Sequence, residues 1–148
     1  MKQKVKAVPD GYPTATPYLL VKGAAKAIDF YKAAFGAEEL YRMPGPNGTI
    51  AHADLVVGSS HIMLADHPGI GDAKGAAGSV FLYVDGVDDI FRKAIRAGAK
   101  ESMAVQDMFW GDRYGKVIDP FGHEWQLATH IEDVEPEEMQ RRIAAAYS

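Results

Sequence analysis

The chain contains two copies of one sequence pattern. Residues 18–23 (YLLVKG) match residues 81–86 (FLYVDG) 63 positions later, and residues 34–37 match residues 96–99 62 positions later. A third match pairs residues 60–61 with residues 122–123, again 62 positions apart. The change of one position is what a single insertion or deletion leaves behind. A duplicated chain of this kind folds into two similar modules, each with the same order of helices and strands.

Each copy begins with a short apolar run and continues with a helical pattern. In the first copy the run covers residues 17–21, and Ile28, Tyr31 and Phe35 follow at helical spacing up to Gly36. The second copy repeats this with residues 80–84 and then Val87, Ile90, Phe91, Ala94 and Gly98. Three extended segments follow each helix: 39–43, 50–57 and 61–65 in the first copy, and 100–105, 114–118 and 124–128 in the second. The sequence therefore predicts an α+β fold of two tandem βαβββ modules, over about 14–66 and 79–130, in a single domain spanning residues 1–148.

Two segments lie outside the modules. Residues 67–78 form a Gly/Ala-rich linker without the Gly-x-Gly-x-x-Gly spacing of a dinucleotide-binding loop. Residues 136–146 predict a short terminal helix, with Glu137/Arg141 and Glu138/Arg142 as i,i+4 pairs and an apolar stripe of Met139, Ile143 and Tyr147. The stripe favours docking on the chain's own domain, with packing on a partner chain as the alternative.

Composition excludes several classes of protein. The 148 residues include no cysteine, which rules out disulfides, Cys-based zinc sites and thiol nucleophiles. With 16 Lys and Arg against 20 Asp and Glu, the net charge of −4 does not favour nucleic acid binding. No run approaches the ~18 apolar residues of a membrane span, and the basic start lacks the apolar stretch of a signal peptide. These observations favour a cytoplasmic protein with neither nucleic acid nor membrane as a partner.

Strand alternation assigns side chains to the two faces of each sheet. A two-residue turn at Gly58-Ser59 places Asp54 opposite Met63 and Leu55 opposite Ile62. The helix-covered core then takes Leu55, Val57, Ile62, Leu64, Val117, Trp125 and Leu127. The opposite faces take Thr16, Tyr18, Leu20, His52, Asp54, Val56, Met63, Ala65, Ser79, Phe81, Tyr83, Tyr114, Lys116, Ile118, Glu124 and Gln126.

This second set mixes aromatic and polar side chains, as a cleft for a small organic molecule does. A filled sandwich interior is the alternative. A dry interior rarely tolerates His52, Asp54, Lys116 and Glu124 together, so the mixture favours the cleft.

Particular segments resemble a known superfamily. Residues 27–31 ahead of Phe35-Gly36-Ala37, and the turn Asp119-Pro120-Phe121-Gly122-His123, resemble the vicinal oxygen chelate proteins. This superfamily includes glyoxalase I, extradiol dioxygenases and bleomycin-resistance proteins. The likeness extends from about Thr14 to Thr129 and implies the glyoxalase/bleomycin-resistance/dioxygenase-type fold. More narrowly, residues 105–115 resemble a glyoxalase/bleomycin-resistance-like subgroup that is mostly uncharacterised.

The resemblance also implies where a metal would bind. Catalytic members hold a divalent metal with His or Glu at four strand positions, which correspond here to Thr16, Met63, Ser79 and Gln126. None of these is a good ligand for a divalent cation, so we expect neither a metal nor another cofactor. The implied function is that of the metal-free branch, which binds a drug or metabolite in a cleft, often as a homodimer. Its aromatic walls would come from Tyr18, Phe81, Tyr83, Phe109, Trp110 and Tyr114. Arg113 would either anchor an anionic group or pair with Asp112.

Other chemistries remain open at this point. His52 and Asp54, with Glu124, could form a displaced metal site, or could act as a general base and its orienting partner without metal. A metal-dependent lyase, isomerase or dioxygenase of glyoxalase type is the alternative function, and a structural or regulatory protein is a third. His61 and His123 fall at matching turn positions, which indicates a shared structural role, while His67 and His130 are expected to be solvated. No Gly-x-Ser-x-Gly elbow occurs, and no catalytic residue is assigned.

Overall fold

The computed structural model describes residues 10–13, 15–66 and 79–146. The described residues form two compact units, one of residues 10–13, 15–32 and 36–66 and the other of residues 33–35 and 79–146. The predicted linker over 67–78 lies outside the described residues. Each unit contains one four-stranded sheet.

The first unit has the order strand, helix, three strands. Its sheet has the strand order β1-β4-β3-β2, with β1 parallel to β4 and the other pairs antiparallel. A short 3₁₀ turn at Pro46–Gly48 separates β2 from β3. The elements are β1 (Tyr18–Val21), α1 (Ala24–Phe35), β2 (Glu38–Pro44), β3 (Ile50–Val57) and β4 (Ser60–Asp66).

The second unit repeats that order and adds a terminal helix. Its sheet has the order β5-β8-β7-β6, with β5 parallel to β8. The elements are β5 (Ser79–Tyr83), α2 (Val87–Arg96), β6 (Lys100–Asp107), β7 (Asp112–Ile118), β8 (Glu124–His130) and α3 (Pro136–Ala146). The predicted α+β fold of two tandem βαβββ modules is confirmed.

The apolar pattern of the sequence explains the two cores. In the first unit Val21, Ile28, Tyr31, Leu55 and Leu64 are buried, so both α1 and the strands contribute apolar side chains to the core. In the second unit the corresponding core residues are Leu82, Val87, Ala94, Val117, Trp125 and Leu127. The strand faces follow the alternation predicted from the sequence.

Helices α1 and α2 each begin at a glycine in the left-handed conformation, and side chains from elsewhere in the chain cap their first turns. Gly23 has a φ of 86° and Gly86 a φ of 67°, and neither position supplies a side chain to cap its helix. Instead, Asp66 at the end of β4 accepts the N–H groups of Gly23 and Ala24 at 2.8 and 2.9 Å. In the second unit the Thr129 hydroxyl accepts the Val87 N–H at 2.9 Å. The last strand of each module therefore fixes the start of its helix.

The turn Asp119-Pro120-Phe121-Gly122-His123 has a structural role. The Oδ1 atom of the buried Asp119 accepts the N–H groups of Phe121 and His123, both at 2.9 Å. Its Oδ2 atom accepts the indole N–H of the fully buried Trp125 at 2.8 Å. One carboxylate thus holds both the turn and the largest side chain of the core.

The terminal helix α3 contacts its own unit through Arg142. The Arg142 guanidinium donates to the carbonyl oxygen of Phe109 at 3.0 Å and forms an ion pair with Glu132 at 2.8 Å. Arg141 pairs with Glu138 at i,i+3, so the predicted Glu137/Arg141 pair is not the one observed. Tyr147 lies outside the described residues.

Candidate functional site

The non-helical face of the first sheet carries a row of aromatic and polar side chains. Strand register aligns Tyr18, Met63, Asp54 and Tyr41 across β1, β4, β3 and β2. The register confirms the prediction that Asp54 lies opposite Met63 and Leu55 opposite Ile62. Tyr41, which is 45% exposed, also belongs to this face, although the sequence analysis assigned no face to β2.

Asp54 is fully buried and is bonded on both of its oxygens. The Tyr12 hydroxyl donates to Oδ2 at 2.5 Å, and the Nδ1 atom of His61 lies 2.9 Å from Oδ1. The alternative in which Asp54 and His52 act as a base and its orienting partner does not match these bonds, because Asp54 is bonded to Tyr12 and His61. His61 lies opposite Val56 in β4, and it therefore points to the same face as Asp54.

Tyr12 and His61 attach the segment before β1 to this sheet. Their rings stack at a centroid distance of 4.0 Å, and Nε2 of His61 lies 3.0 Å from the Gly11 carbonyl oxygen. The hydrogen bond to Asp54, together with burial and the carboxylate's charge, raises the pKa of Tyr12 to about 12. The phenol is therefore a neutral donor at ordinary pH, and the Tyr12–Asp54–His61 cluster is a closed hydrogen-bonded unit rather than an open acid–base site.

His52 lies between two exposed tyrosines. Its Nδ1 atom is 2.9 Å from the Tyr18 hydroxyl, and its ring is 5.4 Å from the ring of Tyr18 and 5.7 Å from that of Tyr41. Tyr18 is 46% exposed, and Met43 and Leu20 are exposed nearby on β2 and β1. The first sheet thus presents an aromatic surface in which the His52 imidazole lies between two tyrosine rings.

In the second sheet, Ser79 and Gln126, two of the four positions that the resemblance assigns to metal ligands, bond to each other. The Gln126 amide donates to the Ser79 hydroxyl at 2.7 Å, and the Tyr114 hydroxyl donates to Oε1 of Gln126 at 2.5 Å. In the first unit, Thr16 lies half-buried just before β1 and Met63 lies half-buried in β4. Neither pair fits a divalent cation, because the first unit offers a hydroxyl and a thioether, the second a hydroxyl and an amide, and none of these groups is anionic.

Aromatic rings line the second sheet beside this chain of hydrogen bonds. The Phe81 ring, 40% exposed, stacks on that of Tyr114 at 5.9 Å and meets that of Tyr83 at a tilt of 52° and 4.9 Å. The Trp110 ring meets Tyr114 edge-on at 5.3 Å. Burial, and then the negative charge of Glu124, raises the pKa of Tyr114.

Asp112 accepts hydrogen bonds from two side chains of this aromatic group. It is buried, and its Oδ2 atom accepts the Tyr83 hydroxyl at 2.9 Å and the Trp110 indole N–H at 2.8 Å. On its other oxygen it meets Nδ1 of His130 at 2.9 Å. Hydrogen bonds to Asp112 and then to Asp133 raise the pKa of His130, which favours its charged form. His130 is exposed, as expected, but it is also bonded to both of these carboxylates.

Arg113 lies on the other side of β7. Its guanidinium donates to both oxygens of Asp88 in α2 at 2.8 and 3.0 Å and to Asp107 at 3.0 Å. The predicted pairing with Asp112 is wrong because alternation directs Arg113 towards the helix. With two carboxylates already bound, Arg113 is a structural bridge, and we leave it out of the candidate site.

Residues 10–13, 15–66 and 79–146 contain no group of three or more His, Asp or Glu side chains placed to hold a metal ion. Within the same ranges, no helix has both the length and the apolar character that crossing a membrane requires.

A duplicated βαβββ module with a mixed polar and aromatic face on each sheet defines a protein of the glyoxalase fold. The family model described as the Glyoxalase/Bleomycin resistance protein/Dioxygenase superfamily matches residues 14–127. The chain therefore belongs to that superfamily, as its sequence resemblance indicated.

Relatives give no activity to transfer directly. The chain is 41% identical over 142 residues to the uncharacterized protein Mb0911c of Mycobacterium bovis, with 90% of this chain and 93% of that protein covered. It is 30% identical over 135 residues to protein YjdN of Escherichia coli, covering 76% and 92% of the two chains. Among solved structures, TioX from Micromonospora sp. ML1 shares 30% identity at a TM-score of 0.61, covering 79% of this chain and 99% of TioX.

Proposed function

We propose that this chain binds a small organic molecule, a drug or metabolite, on the non-helical faces of its sheets, without the divalent metal of the catalytic relatives. The observation that carries the proposal is the Ser79–Gln126–Tyr114 chain of hydrogen bonds. Positions that would present imidazole or carboxylate ligands in a metal enzyme here hold neutral groups, and in the second module these groups satisfy one another. A metal-polarised substrate oxygen has no support from such a donor set.

The aromatic side chains supply the ligand contacts that a metal would otherwise provide. Tyr18, Tyr41, Phe81 and Tyr83 are all 40% or more exposed. Large exposed aromatic rings beside polar groups are typical of surfaces that bind planar or apolar ligands through stacking and burial. The hydrogen bonds from Tyr18 to His52 and from Tyr83 to Asp112 fix two of these rings in position, so less ordering is required when a ligand binds.

Metal binding gives the first test. Purified protein, prepared without chelator and titrated with Mn²⁺, Ni²⁺ or Zn²⁺ by calorimetry, should show no stoichiometric site. The matched variant Ser79→His/Gln126→Glu restores two ligand types within the second unit and should bind Ni²⁺ more tightly than the parent chain. Stoichiometric tight binding by the parent would instead support a metal-dependent lyase, isomerase or dioxygenase.

Ligand binding gives the second test. A thermal-shift screen of antibiotics, aromatic metabolites and glutathione adducts should find a compound that stabilises the protein. A ligand at 100 times its dissociation constant adds about 2.7 kcal/mol to the free energy of unfolding. Phe81→Ala should remove the shift for a ligand of the second sheet, while Ile95→Ala, which changes an exposed apolar residue of α2, should leave it intact. A screen without any hit on either sheet would contradict the proposal.

We also propose that the protein is a homodimer in the cytoplasm. Two exposed residues, Ile131 before α3 and Ile143 within it, supply apolar surface for a second copy. The absence of cysteine from all 148 residues accords with a reducing compartment. Light scattering coupled to size exclusion should give twice the chain mass of 16.1 kDa, and cell fractionation should recover the protein with cytoplasmic markers. A monomeric mass would contradict the first expectation and recovery elsewhere the second.

A further inference from the structure

Two buried or half-buried charged side chains of the described residues have no ion pair and no hydrogen bond. Eleven Asp, Glu, Lys or Arg side chains there are buried or half-buried. Nine of them form an ion pair or hydrogen bond: Glu39, Asp54, Asp66, Asp88, Asp112, Arg113, Asp119, Glu138 and Arg142. Lys116 and Glu124 form neither with any residue of the described part of the chain.

Lys116 and Glu124 are neighbours on one face of the second sheet. Lys116 lies opposite Gln126, and Glu124, two residues before Gln126 in β8, lies opposite Ile118. The pair is therefore diagonal across β7 and β8, where side chains of this length come within reach of each other. Even so, the ammonium and the carboxylate are not within the 4.0 Å of an ion pair.

A half-buried charge without a partner costs free energy, because it has lost part of its hydration without gaining a hydrogen bond. A ligand that brings the opposite charge recovers that cost. Here a cation and an anion are both unpaired and adjacent. The matching ligand therefore carries an anionic group for Lys116 and a cationic group for Glu124.

The same row of the sheet offers an apolar contact. Register aligns Phe81, Gln126 and Lys116 across β5, β8 and β7. Phe81 is exposed, and its ring stacks on that of Tyr114 and lies tilted against that of Tyr83. A planar ring carried by the ligand can extend this stack. Gln126 lies between Phe81 and Lys116 in this row, and Ser79 lies opposite Glu124 in the neighbouring row.

We propose that this face of the second sheet binds a small zwitterion with an aromatic side group, of the aromatic α-amino carboxylate class. Lys116 binds the ligand's carboxylate, Glu124 binds its ammonium group, and Phe81 stacks on its ring. This inference rests on the proposed small-molecule binding and narrows it to one face and one class of ligand.

The experiment is an NMR titration of the full chain with four probes. L-phenylalanine carries both charges and the ring, 3-phenylpropionate lacks the ammonium group, 2-phenylethylamine lacks the carboxylate, and L-alanine lacks the ring. L-phenylalanine should bind at least tenfold more tightly than each of the other three. Its chemical-shift changes should be centred on β5, β7 and β8.

Charge variants assign the two contacts. Lys116→Met should weaken L-phenylalanine and 3-phenylpropionate about tenfold and leave 2-phenylethylamine unchanged, whereas Glu124→Gln should weaken L-phenylalanine and 2-phenylethylamine and spare 3-phenylpropionate. Lys93→Met on α2 and Glu137→Gln on α3 are matched controls that change exposed charges elsewhere, and they should bind all four probes as the parent does.

Three outcomes would overturn the inference. These are equal binding of L-phenylalanine and its singly charged analogues, unchanged binding by both charge variants, and no binding of L-phenylalanine at all. If neutral aromatic compounds bind in a Phe81-dependent way while L-phenylalanine does not, the proposed function stands and only the zwitterion class fails. If no compound binds either sheet, the proposed function fails as well.

Discussion

Asp66 and Thr129 occupy the same position in the two modules, 63 residues apart, and each caps the first turn of its module's helix from the end of the last strand. Asp66 also accepts the Ile50 N–H at 2.8 Å, and the Thr129 hydroxyl also donates to the Val84 carbonyl oxygen at 2.7 Å. Because both helices begin at glycines that supply no cap, these two side chains replace the usual Ser or Asp at the helix start. The side chain at this position therefore caps the helix in both modules, with a carboxylate in the first and a hydroxyl in the second.

Replacing the caps should destabilise both modules, but unequally. Asp66→Ala leaves three backbone N–H groups without their acceptor and should lower the free energy of unfolding by about 2 kcal/mol. Thr129→Ala removes the acceptor of one N–H group and the donor to the Val84 carbonyl oxygen just after β5, two bonds against the three of Asp66, and should cost about 1 kcal/mol. Urea unfolding followed by circular dichroism measures both, and Glu137→Gln, an exposed change in α3, is the control. Equal losses for the two variants would contradict the difference in bonding.

Asp66 should also contribute to the pH dependence of stability. Burial opposes its charged form, but the three backbone N–H bonds outweigh burial and lower the pKa of Asp66 in the folded state. A lowered folded pKa means that the stabilisation is complete above the unfolded value of ~3.9 and is lost as the pH falls through the folded pKa. Melting temperatures from pH 7 down to pH 2.5 should therefore fall less steeply for Asp66→Asn than for the parent chain. Parallel curves would show that Asp66 does not contribute.

The Tyr12–Asp54–His61 cluster predicts a spectroscopic change. With the Asp54 carboxylate in place the pKa of Tyr12 is about 12. Asp54→Asn removes the charge and weakens the bond, so the absorbance of ionised tyrosine near 295 nm should gain one extra group titrating near the ordinary value of ~10. Tyr12→Phe should remove that group in the double variant. An Asp54→Asn titration curve identical to that of the parent would contradict the assigned hydrogen bond.

Strand pairing was predictable from the sequence wherever a short turn fixed it. The two-residue turn at Gly58-Ser59 determines that Asp54 faces Met63, and alternation then determines which side chains share its face. His61 was misplaced because the repeat aligned it with His123 at an offset of 62. The strand pairs Tyr18–Met63 and Phe81–Gln126 show an offset of 63 in the last strands, so His61 corresponds to Glu124.

The physical cause of that shift is one added residue in a turn. Four residues separate the paired Val56 and His61 in the first module, whereas five separate the paired Ile118 and Glu124 in the second.

The hydrogen-bond partners of Arg113 and Asp112 could not be predicted, because some of them are distant in sequence. Asp88 reaches Arg113 from α2, and Tyr83 reaches Asp112 from β5, 29 positions away. Local patterns carry no information about such bonds.

The Asp119 carboxylate should be among the least replaceable groups of the second unit. Asp119→Ala leaves two turn N–H groups and the buried Trp125 indole without an acceptor, which should cost about 3 kcal/mol. Trp125→Phe removes the indole donor but leaves the turn bonds in place, and the two effects should be less than additive in the double variant. Denaturant unfolding of the four proteins gives the coupling energy, and full additivity would contradict the shared hydrogen bond.

Gly111 is the position where the backbone leaves no space for a side chain. It has a φ of 99°, and a Cβ atom there would lie 2.3 Å from the carbonyl oxygen of Glu132. The Gly111 carbonyl also accepts the N–H groups of Ile131 and Glu132, so this contact ties the turn before β7 to the segment that leads into α3. Gly111→Ala should lower the free energy of unfolding by about 3 kcal/mol and increase hydrogen exchange over residues 131–142. Gly98→Ala is a matched control with positive φ, because its Cβ would meet only the Pro120 ring at 3.4 Å. If Gly98→Ala proves as costly as Gly111→Ala, backbone conformation alone explains the loss and the close contact with Glu132 does not.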